Sequence, residues 1–163
     1  MPNFVKSLAK GKVKENIIIK LFESVGFTCN SADAQHRSFW DIEARSDDIS
    51  FTAEIKYDIM AKRTNNLAIE VFNPKLNKPS GIYTTCATLW IHVIGDDIYV
   101  TSCKRLRKFL QENKPHRVIK AGGDKNSDMA LYQIDTILPI FYRINNLFHY
   151  ELINYLMILV LEV

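Results

Sequence analysis

Apolar side chains recur at a helical spacing near the start of the chain. From Val13 to Val25 they return every four residues, which places them on one face of a helix. The pattern predicts a helix from Gly11 to Ser24. Gly26 follows it, and glycine is a common residue just past a helix end.

Alternation of apolar and polar residues replaces the helical spacing after this helix. A short strand is predicted at Phe27 to Asn30. Two longer alternating segments follow, Ser38 to Ala44 and Ile49 to Tyr57, with the turn sequence Ser46-Asp47-Asp48 between them. Because the linker is short and polar, we expect the two segments to pair as a hairpin.

The second half of the chain continues the mixture of strands and helix. Ser102 or Thr101 is placed to cap a helix that runs to about Asn113. The whole pattern predicts an α/β fold. The further strands are predicted at Leu67–Phe72, Thr88–Ile94, Ile98–Thr101 and Met129–Ile134.

The C-terminal residues 137–163 are mostly apolar and aromatic. Their uninterrupted apolar part is too short to span a bilayer, and Arg143, His149 and Glu151 interrupt the longer stretch. We expect a core-packing helix or an oligomer interface, while a weakly constrained extension of the reading frame stays open. The predicted division is therefore a main domain at 1–136 and an apolar extension at 137–163.

Composition narrows the class of protein without identifying it. The chain has 163 residues, 47% of them hydrophobic and 24% charged, as expected of one globular domain. Its net charge of +3 does not by itself indicate a nucleic-acid partner. Cys29, Cys86 and Cys103 form no CxxC pair, which argues against a zinc site or a disulfide framework. Reduced thiols and a start without a signal-peptide core predict a cytoplasmic protein with no membrane partner.

Two carboxylates and a lysine fall at corresponding places in the predicted hairpin. Asp41 lies in its first segment, and Glu54-Ile55-Lys56 lies in its second. Since side chains alternate along a strand, Glu54 and Lys56 point to the same face, and the hairpin brings Asp41 to them. Carboxylate oxygens suit Mg²⁺ or Mn²⁺, which can polarise a phosphate and activate water.

The Glu-x-Lys pair alone is a weak signal. Alternating charged residues often form only the solvent-facing side of a half-covered sheet. The combination is more informative, because an acid on the first helix, Glu15, precedes Asp41 and the pair in a fixed order.

With this ordered set, the chain resembles the PD-(D/E)xK nuclease superfamily over about its first 110 residues. The resemblance implies a restriction-endonuclease-like αβββαβ core, with a central mixed sheet flanked by helices. It further implies a Mg²⁺-dependent endonuclease, with Mn²⁺ or Ca²⁺ as substitutes. The metal would be held by Asp41, Glu54, the carbonyl of Ile55 and Glu15, and Lys56 would assist the nucleophile. Trp40 departs from the family's proline, which is often replaced.

Two branches of that superfamily are most similar. Cyanobacterial-type intron-encoded homing endonucleases imply a homo-oligomer, a dimer or a tetramer, that makes a double-strand break in double-stranded DNA. Holliday junction resolvases share the same residue pattern, and the apolar C-terminal segment favours the homing enzyme. Two other classes stay open: a catalytically silent DNA-binding protein, and an interaction protein that assembles through its apolar tail.

Candidate DNA contacts follow from the same reading. Lys12 and Lys14 lie on the basic N-terminal stretch, and a Pro- and Gly-containing loop after residue 74 suits phosphate contacts. A solvated loop is the ordinary alternative. Glu70 is a possible further metal-site acid, and His92, inside an apolar strand, is expected to be structural. The loop candidates are Lys75, Lys78, Ser80, Thr84 and Thr85, and a second basic cluster comprises Lys104, Arg105, Arg107 and Lys108.

Overall fold

The computed structural model describes residues 15–121, 126–145 and 149–162. The helices are α1, described at 15–24, α2 (Ala61–Thr64), α3 (Cys103–Glu112), α4 (Ile134–Ile137) and α5 (His149–Leu161). The strands are β1 (Thr28–Ser31), β2 (Ile42–Arg45), β3 (Ser50–Tyr57), β4 (Asn66–Asn73), β5 (Lys78–Pro79), β6 (Leu89–Ile94), β7 (Asp97–Ser102), β8 (Arg117–Ala121), β9 (Ser127–Gln133) and β10 (Tyr142–Arg143).

The larger sheet has the strand order β1-β2-β3-β6-β7-β10. All of its neighbours are antiparallel except β3 and β6, which are parallel. The smaller sheet has the order β5-β4-β9-β8 and is antiparallel throughout. The prediction of an α/β fold with a central mixed sheet flanked by helices is confirmed.

Strand β6 joins two hydrophobic cores. Leu89, Ile91 and Val93 enter the first core, which α1 and α5 cover on one face of the larger sheet. Trp90 and Ile94 enter the second core, between the opposite face, the smaller sheet and α3. All six residues of β6 are buried, as is typical of a parallel strand covered on both faces.

The end of α1 and the start of α3 follow the sequence signals. Gly26 ends α1 with φ +89°, a backbone conformation that glycine adopts without a Cβ clash. The hydroxyl of Ser102 accepts a hydrogen bond from the backbone N–H of Arg105 and so caps α3, as predicted. The predicted start of the first helix, at 11–14, lies outside the described residues.

The C-terminal segment contributes to the core of the larger sheet. Leu152, Leu156 and Leu159 of α5 are buried against it, and β10 adds an edge strand beside β7. One face of α5 therefore packs on the core of the larger sheet. Over the described part of the chain, no helix has the length and apolar character needed to cross a membrane.

The start of β2 corrects the predicted hairpin. Residues 38–41 are not in the strand, which begins at Ile42. The carboxylate of Asp33 accepts hydrogen bonds from the N–H groups of Gln35 and His36, and this turn competes with extended backbone. Asp41 nevertheless stays next to β3, because its N–H donates to the carbonyl of Ala53 at 2.9 Å.

Candidate active site

The Glu-x-Lys pair lies on the face of β3 that looks toward the second core. In the parallel ladder Glu54 is aligned with Trp90, and Lys56 is aligned with His92. The side chains of Glu54 and Lys56 are 15% and 35% exposed, and they form an ion pair. Alternation along the strand therefore brings these two groups together as the sequence predicted.

Asp41 completes this cluster from the residue before β2. Since Ile42 is paired with Ala53, the next position places Asp41 opposite Glu54. A carboxylate oxygen of Asp41 accepts a hydrogen bond from the N–H of Ile55 at 2.7 Å. Alternate residues direct their backbone groups to the same edge of a strand, so the Ile55 carbonyl faces this edge too.

The electrostatics of Asp41 reflect two carboxylates held close together. Burial, and then the charge of Glu54, raise the pKa of Asp41 from 3.8 to about 6, against the opposing effects of the Ile55 N–H and Lys56. A group of this kind is stabilised by a nearby cation. The site thus has an incompletely neutralised negative charge beside β3, next to the start of β2.

Lys56 is held in its ammonium form. Burial disfavours the charge, but the carboxylate of Glu54, and then that of Asp41, outweigh burial and raise the pKa of Lys56 above its ordinary value. Glu70 contributes in the same direction, and its own carboxylate accepts a hydrogen bond from Ser127 at 3.1 Å. Lys56 can therefore donate hydrogen bonds and supply positive charge, but it is a poor base.

Thr85 supports Glu54 from a separate turn. Its hydroxyl lies 2.7 Å from the carbonyl oxygen of Phe39 and 3.3 Å from Glu54 Oε2. Arg107 fixes the turn by donating to the carbonyls of Ile82 at 2.9 Å and Thr85 at 2.6 Å. Thr85, predicted to contact DNA, is thus buried, at 7% exposure, and is engaged inside the protein.

The same turn begins at a glycine for a steric reason. Gly81 has φ +57°, and a Cβ at this position would lie 2.3 Å from the carbonyl oxygen of Glu70. Only glycine permits both the backbone conformation and the close approach. The turn that carries Thr85 is consequently packed directly against β4.

Glu15 approaches Asp41 from α1. Both line a cleft of about 410 Å³, together with Arg37 and three smaller side chains. The charge of Glu15 is a minor contribution to the raised pKa of Asp41. The helical acid predicted from sequence is therefore a neighbour of Asp41. The other lining residues are Asn16, Ser31 and Ala32.

The donor set fits an ion that takes few protein ligands. Within 15–121, 126–145 and 149–162, no three His, Cys, Asp or Glu side chains are grouped closely enough to hold a metal ion. Asp41 and Glu54 supply two carboxylates, and Ile55 supplies a carbonyl at the same edge. Mg²⁺ is typically bound by one or two carboxylates and retains several waters, so these residues suit it.

The remaining DNA-contact candidates are distributed differently. Lys75, Lys78 and Thr84 are exposed, whereas Ser80 is half-buried. Lys12 and Lys14 lie outside the described residues. In the second basic cluster, Arg107 holds the Thr85 turn and Arg105 pairs with Glu162, so neither side chain is free to face a phosphate.

Sequence reasoning missed three residues around this site: Thr85 as the partner of Glu54, and Asp58 and His92 beside Lys56. The sequence does contain a signal for His92. Trp90 and His92 have the same two-residue spacing as Glu54 and Lys56, so on adjacent strands the two pairs can lie side by side. Recognising it requires the register between β3 and β6, which the sequence does not indicate.

No family model, curated protein or solved structure matches this chain.

Proposed function

We propose that this protein is a metal-dependent DNA endonuclease of the PD-(D/E)xK type, similar to a homing endonuclease. The observation that carries the proposal is the cluster beside β3 at the start of β2: the carboxylates of Asp41 and Glu54 beside the ammonium of Lys56. The raised pKa of Asp41 supports a role in cation binding, because a structural carboxylate gains nothing from such repulsion.

The order of elements supports the finer fold assignment. Helix α1 precedes the antiparallel strands β1, β2 and β3, the short helix α2 follows, and β6 returns parallel to β3. This order is compatible with the αβββαβ order of a restriction-endonuclease-like core, with β4 and β5 lying between α2 and β6. Asp41 immediately precedes the second strand, β2, and the Glu-x-Lys pair lies in the third, β3, which is compatible with the superfamily motif.

In this proposal Asp41, Glu54 and the carbonyl of Ile55 hold Mg²⁺. A Mg²⁺ ion held there would supply Lewis-acid chemistry, that is, polarisation of the scissile phosphate and a lower pKa for an attacking water. Lys56, kept as an ammonium, offsets the negative charge that develops on the phosphate oxygens. Thr85 restricts Glu54 to one orientation, and Glu15 lines the cleft beside Asp41. Because Lys56 is protonated, the proton of the water leaves to solvent.

A homo-oligomer forms part of the proposal, since one small domain with one site cuts one strand at a time. The outer face of α5 supports self-association, because it exposes four large hydrophobic side chains and a C2 pairing would cover them. These residues are Tyr150, Met157, Ile158 and Leu161.

The experiment compares cleavage of supercoiled plasmid, a synthetic four-way junction and an intronless linear duplex, with Mg²⁺ or with EDTA. We expect cutting only with Mg²⁺ and only by protein with an intact site. Asp41→Asn and Lys56→Met should reduce the rate by about 100-fold or more, the size of effect seen when charge stabilisation is removed. Preference for the duplex or for the junction separates a homing enzyme from a resolvase.

Matched controls keep the charge change but move it away from the site. Asp48→Asn lies in the exposed β2–β3 turn, and Lys62→Met removes a lysine that is 60% exposed. Both should cut as the wild type does. Cutting by Asp41→Asn and Lys56→Met at the wild-type rate would contradict the assignment, and DNA binding without cutting by the wild type would favour the silent DNA-binding protein.

A further inference from the structure

A second group of side chains lies beside the Glu-x-Lys pair on the adjacent strand. In the register between β3 and β6, Trp90 is aligned with Glu54 and His92 with Lys56. The Lys56 ammonium stands 5.7 Å from the centre of the Trp90 ring, within the range of a cation–π interaction. The position of this ring therefore bears directly on the position of the ammonium.

The Trp90 ring is fixed by a hydrogen bond that only one form of His92 can accept. The indole N–H of Trp90 lies 3.2 Å from His92 Nδ1. An indole nitrogen can only donate, so Nδ1 must be unprotonated, and the proton of the neutral imidazole is on Nε2. His92 is 1% exposed, and burial is the main reason that its pKa lies below the ordinary value. The neutral form with Nε2–H is thus the form that the fold selects.

Asp58 provides a rigid charge on the far side of His92. Its Oδ2 lies 3.8 Å from His92 Nε2, too far for a direct hydrogen bond but close enough to favour a proton there. The carboxylate of Asp58 is itself held by the backbone N–H groups of Met60, Ala61 and Ala68, at 2.9 to 3.1 Å. Asp58 therefore links the end of β3, α2 and β4 to the imidazole.

The unpartnered nitrogen of His92 supports the same chain of contacts. Among the described residues, Nε2 has no hydrogen-bond partner although it is buried. The His92 side chain borders a small cavity of about 180 Å³ that Lys56, Asp58 and Glu70 also line. Leaving a buried N–H without a partner costs about 1–3 kcal/mol. A histidine at this position is therefore not explained by stability alone.

We propose that His92 is a positioning residue: through its unprotonated Nδ1 it holds the Trp90 ring beneath the ammonium of Lys56, with Asp58 fixing the imidazole from behind. The inference deepens the proposed function, on which its consequence for cleavage rests. The contact itself is independent of catalysis. His92 touches neither substrate nor the metal-holding carboxylates, so its effect passes entirely through Trp90 and Lys56.

Nuclear magnetic resonance of the full chain tests the contact without reference to cleavage. We expect the ¹⁵N spectrum of His92 to show unprotonated Nδ1 and protonated Nε2, and the Trp90 indole N–H to exchange slowly with solvent. We also expect the ε-methylene protons of Lys56 to be shifted upfield by the Trp90 ring current. A protonated Nδ1, or a Lys56 without the ring-current shift, would overturn the proposal even if the protein proves to be an active nuclease.

Two variants connect the contact to cleavage. His92→Asn keeps an acceptor near the position of Nδ1, whereas His92→Leu removes it. The leucine variant should lose the Trp90 protection and the Lys56 shift and cut about 10-fold more slowly, with KM for DNA unchanged, and the asparagine variant should recover most of both. Equal behaviour of the two variants would overturn the positioning role. If no form of the protein cuts DNA, the proposed function fails, and the spectra of the same variants still decide whether His92 positions Trp90 and Lys56.

Discussion

Thr85 illustrates how a single hydroxyl connects the parts of the candidate site. The hydroxyl has one proton and two acceptors within reach, the Phe39 carbonyl at 2.7 Å and Glu54 Oε2 at 3.3 Å. It also accepts a hydrogen bond from the N–H of Ala87 at 3.2 Å. Phe39 is two residues before Asp41. Thr85 consequently determines the spacing between the segment that carries Asp41 and the strand that carries Glu54.

Removing this hydroxyl should affect cleavage more than folding. Thr85→Val keeps the shape of the side chain but removes the hydroxyl from Phe39 and Glu54, although the Phe39 carbonyl keeps the Cys86 N–H at 2.9 Å and Glu54 keeps Lys56. Thr85→Ser keeps the hydroxyl. We expect the valine variant to cut DNA about 10-fold more slowly and to need more Mg²⁺ for half-maximal rate, while the serine variant stays close to wild type.

The measurement is the single-turnover cleavage rate across a Mg²⁺ titration, with thermal unfolding recorded for all three proteins. A valine variant with an unchanged Mg²⁺ requirement would show that the Thr85 hydroxyl does not position Glu54. The serine variant is the matched control, because it also changes the side chain at position 85 but keeps the hydroxyl and its hydrogen bond.

At the scale of elements, α5 has two faces with different roles. Leu156 is fully buried in the first core, whereas Ile158, two residues later, is 48% exposed. Leu156→Ala should lower the free energy of unfolding by about 2–5 kcal/mol, because a buried leucine leaves a cavity. Ile158→Ala removes a comparable volume from the outer face and should cost the monomer much less, about 1 kcal/mol or less.

Urea unfolding at low protein concentration, where any oligomer is dissociated, gives both values. The two variants also distinguish core packing from self-association. Ile158→Ala should weaken self-association at higher protein concentration although it leaves the monomer stable. Similar losses of monomer stability in the two variants would mean that α5 does not pack on the sheet through the Leu156 face.

Elements with strong local patterns were predictable from the sequence. The alternation in β3 and the apolar spacing of α1 each indicate the buried face directly. The early part of the hairpin was wrong, because Asp33 stabilises a turn where alternation favoured a strand. Strand β8 was missed because it is an edge strand and none of its side chains is fully buried, so it has no strong apolar face.

The same distinction applies to the candidate site. The proximity of Asp41, Glu54 and Lys56 was predictable, because a short hairpin places these residues on adjacent segments of the chain. Thr85 and His92 come from segments more than thirty residues away, and their contacts depend on a parallel register and on a turn at Gly81. Long-range register of this kind leaves no periodic signal in a single sequence.

At the scale of the whole molecule, the candidate site reduces the stability of the fold. The two cores share β6, and the site lies beside the neighbouring strand β3. A charge buried at the site therefore lowers the free energy of unfolding of the whole domain. Asp41 is the clearest case, because its pKa rises from 3.8 to about 6 on folding. The folded protein binds this proton more tightly than the unfolded chain does, and stability is lost as the pH rises through that interval.

Asp41→Asn should therefore stabilise the protein at neutral pH in the absence of divalent cations. The amide cannot ionise, yet its oxygen can still accept the hydrogen bond from Ile55. We expect a gain in the free energy of unfolding of about 1–2 kcal/mol near pH 7.5, discounted for the partial exposure of the group, and little gain below about pH 3, where the carboxyl is largely protonated in both states. Urea unfolding in EDTA at both pH values measures this gain. The control is Asp48→Asn, exposed in the β2–β3 turn, which should leave the free energy of unfolding unchanged at both pH values. A gain of equal size at the two pH values would mean that Asp41 is not the source, whereas a gain confined to neutral pH would identify Asp41 as a carboxylate that the fold keeps at the expense of its own stability.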